Sequence, residues 1–126
     1  MPYTYDSQNI FAKILRGEIP NSTVYESEHT LAFKDIAPSA PVHVLVIPKG
    51  PYVSFDHFSA EASDAEIVDF TRSVNEVCKI SGVKMDAGNG FRAIANTGRD
   101  GVQDVLHFHM HILGGRSMGR MVTKTD

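Results

Sequence analysis

His107-Phe108-His109-Met110-His111-Ile112-Leu113 is the stretch that decides how this chain is read. Histidine alternates with an apolar residue from Leu106 to Ile112. In a strand, successive side chains point to opposite faces. Leu106, Phe108, Met110 and Ile112 then share one face, and three imidazoles share the other. In a helix the same histidines would scatter. Val105 to Leu113 is therefore predicted as a strand, ended by Gly114-Gly115. Same-face neighbours stand about 6.7 Å apart at a rise of about 3.3 Å per residue, so three rings can surround one centre. Imidazole titrates near neutral pH and serves as nucleophile, acid or base. A phosphorus atom fits this layout, and so does a metal. Zinc needs ligands converging at about 2.0–2.1 Å, whereas i, i+2 and i+4 on a flat strand splay apart. His43, on another strand, would close such a set. The plainer alternative is three hydrogen-bonded sheet residues, although they are half of the chain's six histidines.

Working outward, Asp6 or Ser7 is placed to cap a first helix reaching about Arg16, with Gly17 as its stop. Ile10, Phe11, Ile14 and Leu15 form its apolar stripe. Thr23 to Tyr25 and Thr30 to Lys34 read as strands around the turn Glu26-Ser27-Glu28. Pro38 and Pro41 bracket a polar turn. Val42 to Ile47, rich in β-branched residues, reads as a buried strand closed by Pro48-Lys49-Gly50-Pro51. Ser59 or Ser63 starts a second helix, and Ser63-x-x-Glu66 is a capping-box pattern. Ile67, Phe70, Val74, Val77 and Cys78 keep helical spacing to Ile80, with Gly82 as the stop. Phe91 to Ala95 is a further strand, and Asn96 to Gly101 a glycine-bearing turn. The order is helix, three strands, helix, two strands. Short turns make neighbouring strands antiparallel. The expected class is α+β: a five-stranded antiparallel sheet with two main helices.

The 126 residues suit one domain. Twelve basic against fifteen acidic residues give a formal charge of −3. That balance argues against a nucleic-acid partner or a polybasic membrane patch, though not against one bound nucleotide. Cys78 is the only cysteine, which excludes an intrachain disulfide and a Cys-x-x-Cys site; on an apolar helix face it reads as core. The longest clear apolar run, Val44 to Ile47, is far below a membrane span. Met1 to Ile10 lacks the pattern of a signal peptide, so the expected location is the cytoplasm.

The His-Phe-His-Met-His-Ile-Leu run resembles the signature of the histidine triad superfamily. Ile10-Phe11-Ala12-Lys13-Ile14, Gly17-Glu18-Ile19-Pro20, Leu31 to Ile36, Ala40 to Lys49 and Asn96 to Arg116 resemble its Hint branch. The likeness covers most of residues 8–118, the expected domain core, and leaves 119–126 as a tail. Members of that branch are homodimeric hydrolases of purine nucleoside phosphoramidates and aminoacyl-adenylates. The resemblance implies that His109 is a nucleophile attacking the α-phosphorus to form a nucleotidyl-histidine. The His107 carbonyl would hold His109 Nδ1–H and free Nε2. His111 would bond a phosphoryl oxygen or the leaving group, and His43 would complete a relay that protonates the amine. No cofactor and no metal is expected.

The resemblance also implies a nucleotide pocket. Asp35 would accept from the ribose, and Ile10, Phe11, Ile14, Ile19, Phe33 and Ile36 would enclose the base. Without the family, the apolar residues read as ordinary core and Asp35 as a turn residue. Asn96, which could merely favour a turn, would lie by the phosphate. Backbone N–H groups of Gly101, Val102, Gln103 and Asp104 would converge on it.

The match has departures. Many relatives carry glycine where Val102 stands and serine where Asp104 stands. An ionised Asp104 cannot donate to phosphate, which points to backbone-only contact or another leaving-group preference. Asn9 and Ala12 occupy the places of two zinc-binding cysteines in some relatives, and Pro51 that of a further histidine. The chain has no tryptophan, and its tail Arg120 to Asp126 looks more like bacterial members. In the family, the second helix and the strand near 91–95 form the dimer interface; Phe70 and Val77 could instead be intrachain core. Two other functions compete with the phosphoramidase: a dinucleoside polyphosphate hydrolase, and a nucleotide-binding or scaffold protein with little catalysis.

Overall fold

Val42–Pro48 (β3) is the central strand of a five-stranded antiparallel sheet in a computed structural model that describes residues 3–122. Its neighbours are Thr30–Lys34 (β2) and Met110–Gly114 (β5). Thr23–Glu26 (β1) and Phe91–Ile94 (β4) form the edges, in the order β1-β2-β3-β5-β4. Three helices complete the fold: Ile10–Leu15 (α1), Phe55–Glu61 (α2) and Asp64–Ile80 (α3). The α+β class and the five strands agree with the sequence reading, except where the last one starts. The third helix is a correction. α2 is two turns long and carries only Phe55 and Phe58 as large apolar residues, too short a pattern to signal itself. Ser59 lies inside it and starts nothing.

Local chemistry explains the helix ends. Ser63 and Glu66 form the reciprocal capping box that their spacing predicts, Ser63 Oγ accepting from Glu66 N–H at 3.1 Å. The α1 cap is Asn9, not Asp6 or Ser7: its side chain accepts from Ala12 N–H at 2.9 Å. Asp6 instead takes Gln8 N–H at 2.9 Å, a turn leading into the helix.

The sheet has a packed layer on each face. On one, Ala32, Val44, Val46 and Ile112 meet Phe58, Phe70, Val77, Cys78 and Phe108. This is the main core, with α3 across it. On the other, Leu31, Phe33, Leu45 and Ile47 pack against Phe11 and Ile14 of α1. At the far end of β5, Gly115 is obligatory. Its φ is +89°, and an added Cβ would stand 2.7 Å from Pro41. That turn lets the Arg116 guanidinium donate to the Ser39 carbonyl at 2.7 Å. Among the described residues no helix is long and apolar enough to cross a membrane. Of the tail singled out by sequence, residues 123–126 lie outside the described residues.

Candidate active site

The predicted strand Val105 to Leu113 begins only at Met110, which pairs with Val46. The cause is Pro48. Continuing the register would set Pro48 against Phe108, and proline has no N–H for the ladder. Phe108 N–H bonds to the Tyr52 carbonyl instead, at 2.7 Å. The Pro48 carbonyl, left without a strand partner there, accepts from His107 Nε2 at 2.8 Å. The alternation survives this turn in part. Phe108, Met110 and Ile112 enter the α3 core, but Leu106 departs from it and is 48% exposed.

Each imidazole is fixed by its partners. His107 is fully buried. Its Nε2–H donates to Pro48, so its Nδ1 must accept, and the Tyr5 hydroxyl supplies the proton at 2.7 Å. Burial pushes His107 down to about 4, so it is neutral near pH 7. His109 Nδ1–H donates to the His107 carbonyl at 2.8 Å, which leaves its Nε2 lone pair free. Burial also lowers the His109 pKa, against the opposing effect of that bond. The Phe11 ring meets His109 edge-on at 4.9 Å between centroids.

His111 sits on the same face as His43, one diagonal step away, since Leu45 pairs with His111 and His43 with Leu113. Ser39 N–H donates to His43 Nδ1 at 3.0 Å. The His43 proton is therefore on Nε2, which donates to His111 Nδ1 at 2.9 Å. His111 must then carry its own proton on Nε2. Burial, with His109 and His43 nearby, holds His111 down to about 4. The His109 and His111 rings lie 5.1 Å apart at 65°. One ring thus offers a bare nitrogen and its neighbour an N–H.

Both face a cavity of about 280 Å³. Ile10, Phe11, Ile14, Ile19, Phe33 and Ile36 line it, with Asp35, Asp104, His109 and His111. Ile36 is 98% exposed at its mouth. Sequence reasoning missed Leu45, Pro20, Asn21, Ser22, Lys34 and Val105 on its wall. Asp35 Oδ1 already accepts from Ala37 N–H at 2.8 Å, and Oδ2 lies 3.4 Å from His43 Nε2. A larger hollow of about 490 Å³ touches Asp35 and His43 from the side of Pro38 and Pro41, but neither His109 nor His111 lines it.

The 97–104 loop corrects one expectation. Three of the four N–H groups expected to face an anion are paired inside the loop. Gly101 N–H donates to Thr97, Val102 to Arg99 and Gln103 to Gly98, at 3.0–3.2 Å. The Gln103 amide braces the loop as well, donating to the carbonyls of Val53 and Val105 and accepting from Gly98 N–H. Gly101 is required because a Cβ would lie 2.5 Å from Thr97 backbone atoms. Val102 stands at φ +53°, a left-handed conformation strained for a β-branched residue. Gly101, Val102 and Gln103 do not line the cavity; Asp104 does. Asn96 does not line it either, although it lies two residues past Ile94, which pairs with His111.

Among the described residues one group could hold a metal: Asp35, His43 and His111 each bring a ligand atom within 4.8 Å of the others. A cation there would displace the proton that His43 and His111 share. His107 and His109 are not in that group. Tyr5 and Ser39 bond histidines of the cluster and Arg116 bonds Ser39, contacts that sequence spacing missed. Tyr5 lies 102 residues from the ring it touches, and nothing local announces such a contact.

The HIT domain family profile matches residues 16–118. A 13.2 kDa HIT-like protein of Azospirillum brasilense is 52% identical over 98% of this chain and 99% of its own. The purine nucleoside phosphoramidase of Escherichia coli is 42% identical over 91% of this chain and 93% of its own. A histidine triad protein from Clostridium difficile superposes with a TM-score of 0.78 at 38% identity, covering 93% and 98% of the two chains. With its histidine run, its sheet and these relatives in agreement, this chain belongs to the HIT domain family.

Proposed function

We propose that the protein hydrolyses the P–N bond of purine nucleoside phosphoramidates, and of related acyl-adenylates the acyl–phosphate bond, through a nucleotidyl-histidine. The observation that carries this reading is His109: Nδ1–H is committed to the His107 carbonyl, and Nε2 is bare in a cavity. Nε2 attacks the α-phosphorus. With the substrate's anion bound, the His43–His111 pair holds one added proton taken from solvent, and His111 Nε2–H donates to the nitrogen that departs, because an amine is a poor leaving group without a proton. Water then cleaves the P–Nε2 bond, its hydroxyl going to phosphorus and its proton restoring His111. The apolar wall of Ile10, Phe11, Ile14, Ile19, Phe33 and Ile36 takes the purine, and Asp35 the ribose hydroxyls. The phosphoramidase from Escherichia coli at 42% identity supports the same substrate class.

The test is adenosine 5′-phosphoramidate offered to wild type and to His109→Ala. Release of AMP by wild type alone, with a transient protein adduct of nucleotide mass, is the expected result. Turnover of diadenosine polyphosphate with none of the phosphoramidate would favour the polyphosphate hydrolase, and binding without turnover the nucleotide-binding protein.

The working unit is a homodimer. β4 is an edge strand with its outer side open, and Phe91 on it is exposed, as are Val68 and Ile80 of α3. An apolar open edge invites pairing with a second copy. A solution mass of one chain would refute this.

A further inference from the structure

We propose that Tyr5 is a positioning residue for His109, acting through the His107 ring. The N-terminal arm crosses the surface with Tyr3 and Tyr5 turned inward and Thr4 exposed. Tyr3 stacks flat on His57 of α2, centroids 4.3 Å apart at 4°, and its hydroxyl donates to Asp56 at 2.8 Å. Two residues on, Tyr5 lies over His107, where its hydroxyl donates to Nδ1 at 2.7 Å and its ring meets the imidazole edge-on at 5.6 Å.

His107 is thereby gripped at both nitrogens, by Tyr5 on one side and the Pro48 carbonyl on the other. The double grip sets the ring torsions and with them the backbone at 107. The carbonyl of that backbone is what accepts His109 Nδ1–H. Without the Tyr5 hydroxyl, a buried Nδ1 has no donor, and the ring gains from rotating toward one. The carbonyl then loosens, and His109 begins to populate the tautomer with its proton on Nε2. That tautomer has no lone pair to attack phosphorus. The chain from residue 5 to residue 109 thus runs through two hydrogen bonds and one peptide unit.

The test is Tyr5→Phe, which keeps the ring and removes the hydroxyl. It is read by ¹⁵N NMR of the histidine rings and by turnover of adenosine 5′-phosphoramidate. Only the kinetic arm rests on the phosphoramidase reading. In the variant, the His107 Nδ1 signal should move toward that of an unbonded nitrogen, and the two His109 nitrogens should move toward averaged values. kcat should fall about tenfold, as for one lost hydrogen bond of ordinary strength. KM should stay unchanged, since the cavity wall is untouched. Tyr3→Phe, which weakens the same arm without touching His107, should leave the His109 signals and kcat as in wild type. Unaltered His109 nitrogens in Tyr5→Phe overturn the proposal, and so does an equal effect from Tyr3→Phe. If wild type releases no AMP, the phosphoramidase reading falls, and the ring spectra still decide the role of Tyr5.

Discussion

The two faces of the sheet are cut from the same strands and held together by different physics. On the α3 face, β3 and β5 present Val44, Val46 and Ile112 to a dry layer of Phe58, Phe70, Val77 and Phe108. Contacts there are apolar and non-directional, and their strength follows buried area. On the opposite face the same two strands present His43 and His111 beside Leu45 and Ile47. Each nitrogen of His107 and His43 has an assigned partner, and His109 and His111 each keep one nitrogen for the cavity. Among the described residues no buried side-chain polar atom lacks a hydrogen bond. One face is held by apolar burial alone, and the other joins a smaller apolar layer to a hydrogen-bonded histidine cluster. Substitutions should separate the two.

The sharpest separation comes from His109→Ala. Turnover should drop on the order of 10⁴-fold or more, as for loss of a nucleophile, while the melting temperature stays near that of wild type. A variant that keeps appreciable turnover would break the contrast. Phe108→Ala is its mirror. Phe108 is buried among Phe55, Phe58 and Phe70, with ring centroids 5.0–5.3 Å away. Its loss should cost about 3–5 kcal/mol in denaturant unfolding. A cost near zero would mean that this layer does not carry the fold.

A third way to sharpen the contrast is pH. His107 and His111 lie near 4 in the folded chain against an ordinary 6.5. Between those values the unfolded chain binds protons that the folded one refuses, so stability falls as pH drops from about 6.5 through about 4. For the buried His107 this amounts to about 3 kcal/mol at most. Denaturation curves at pH 7 and pH 4.5 measure it. His107→Asn should flatten the dependence, and a slope unchanged by that substitution would contradict the assignment. The smallest effect is expected at the rim. Asp104 stands in the cavity wall where an ionised carboxylate repels a phosphate. Asp104→Ser should change phosphoramidate turnover about threefold to tenfold, within the range of one hydrogen bond of ordinary strength. Unaltered kinetics would refute a role for this side chain.

Much of the first face was legible in the sequence. Alternation at 105–113, strand-forming runs between turns, helical spacing and the Ser63–Glu66 box are local signals, and they located the strands and α3. The histidine cluster was legible for the same reason, and the cavity's apolar wall came through the family resemblance. The rest depended on long-range geometry. No periodicity says that Pro48 ends the β5 ladder, because that needs the β3–β5 register. Ser39 reaches His43 through a loop, Arg116 reaches Ser39 across 77 residues, and Tyr5 reaches His107 across 102. Gln103 looked like part of an anion nest and is a brace, since its amide ties the loop to the Val53 carbonyl, 50 residues away. The short α2 fell below the length at which a helical stripe can be recognised.

Ile36, standing almost wholly in water at the cavity mouth, has a kinetic consequence. No described segment lies over it, so on the proposed reading a planar base would slide in edge-first and slip out the same way. Entry and exit then require no hinge. On the phosphoramidase reading proposed above, bond-making at phosphorus is then expected to set the pace of the cycle, and thickening the solvent should leave turnover nearly constant.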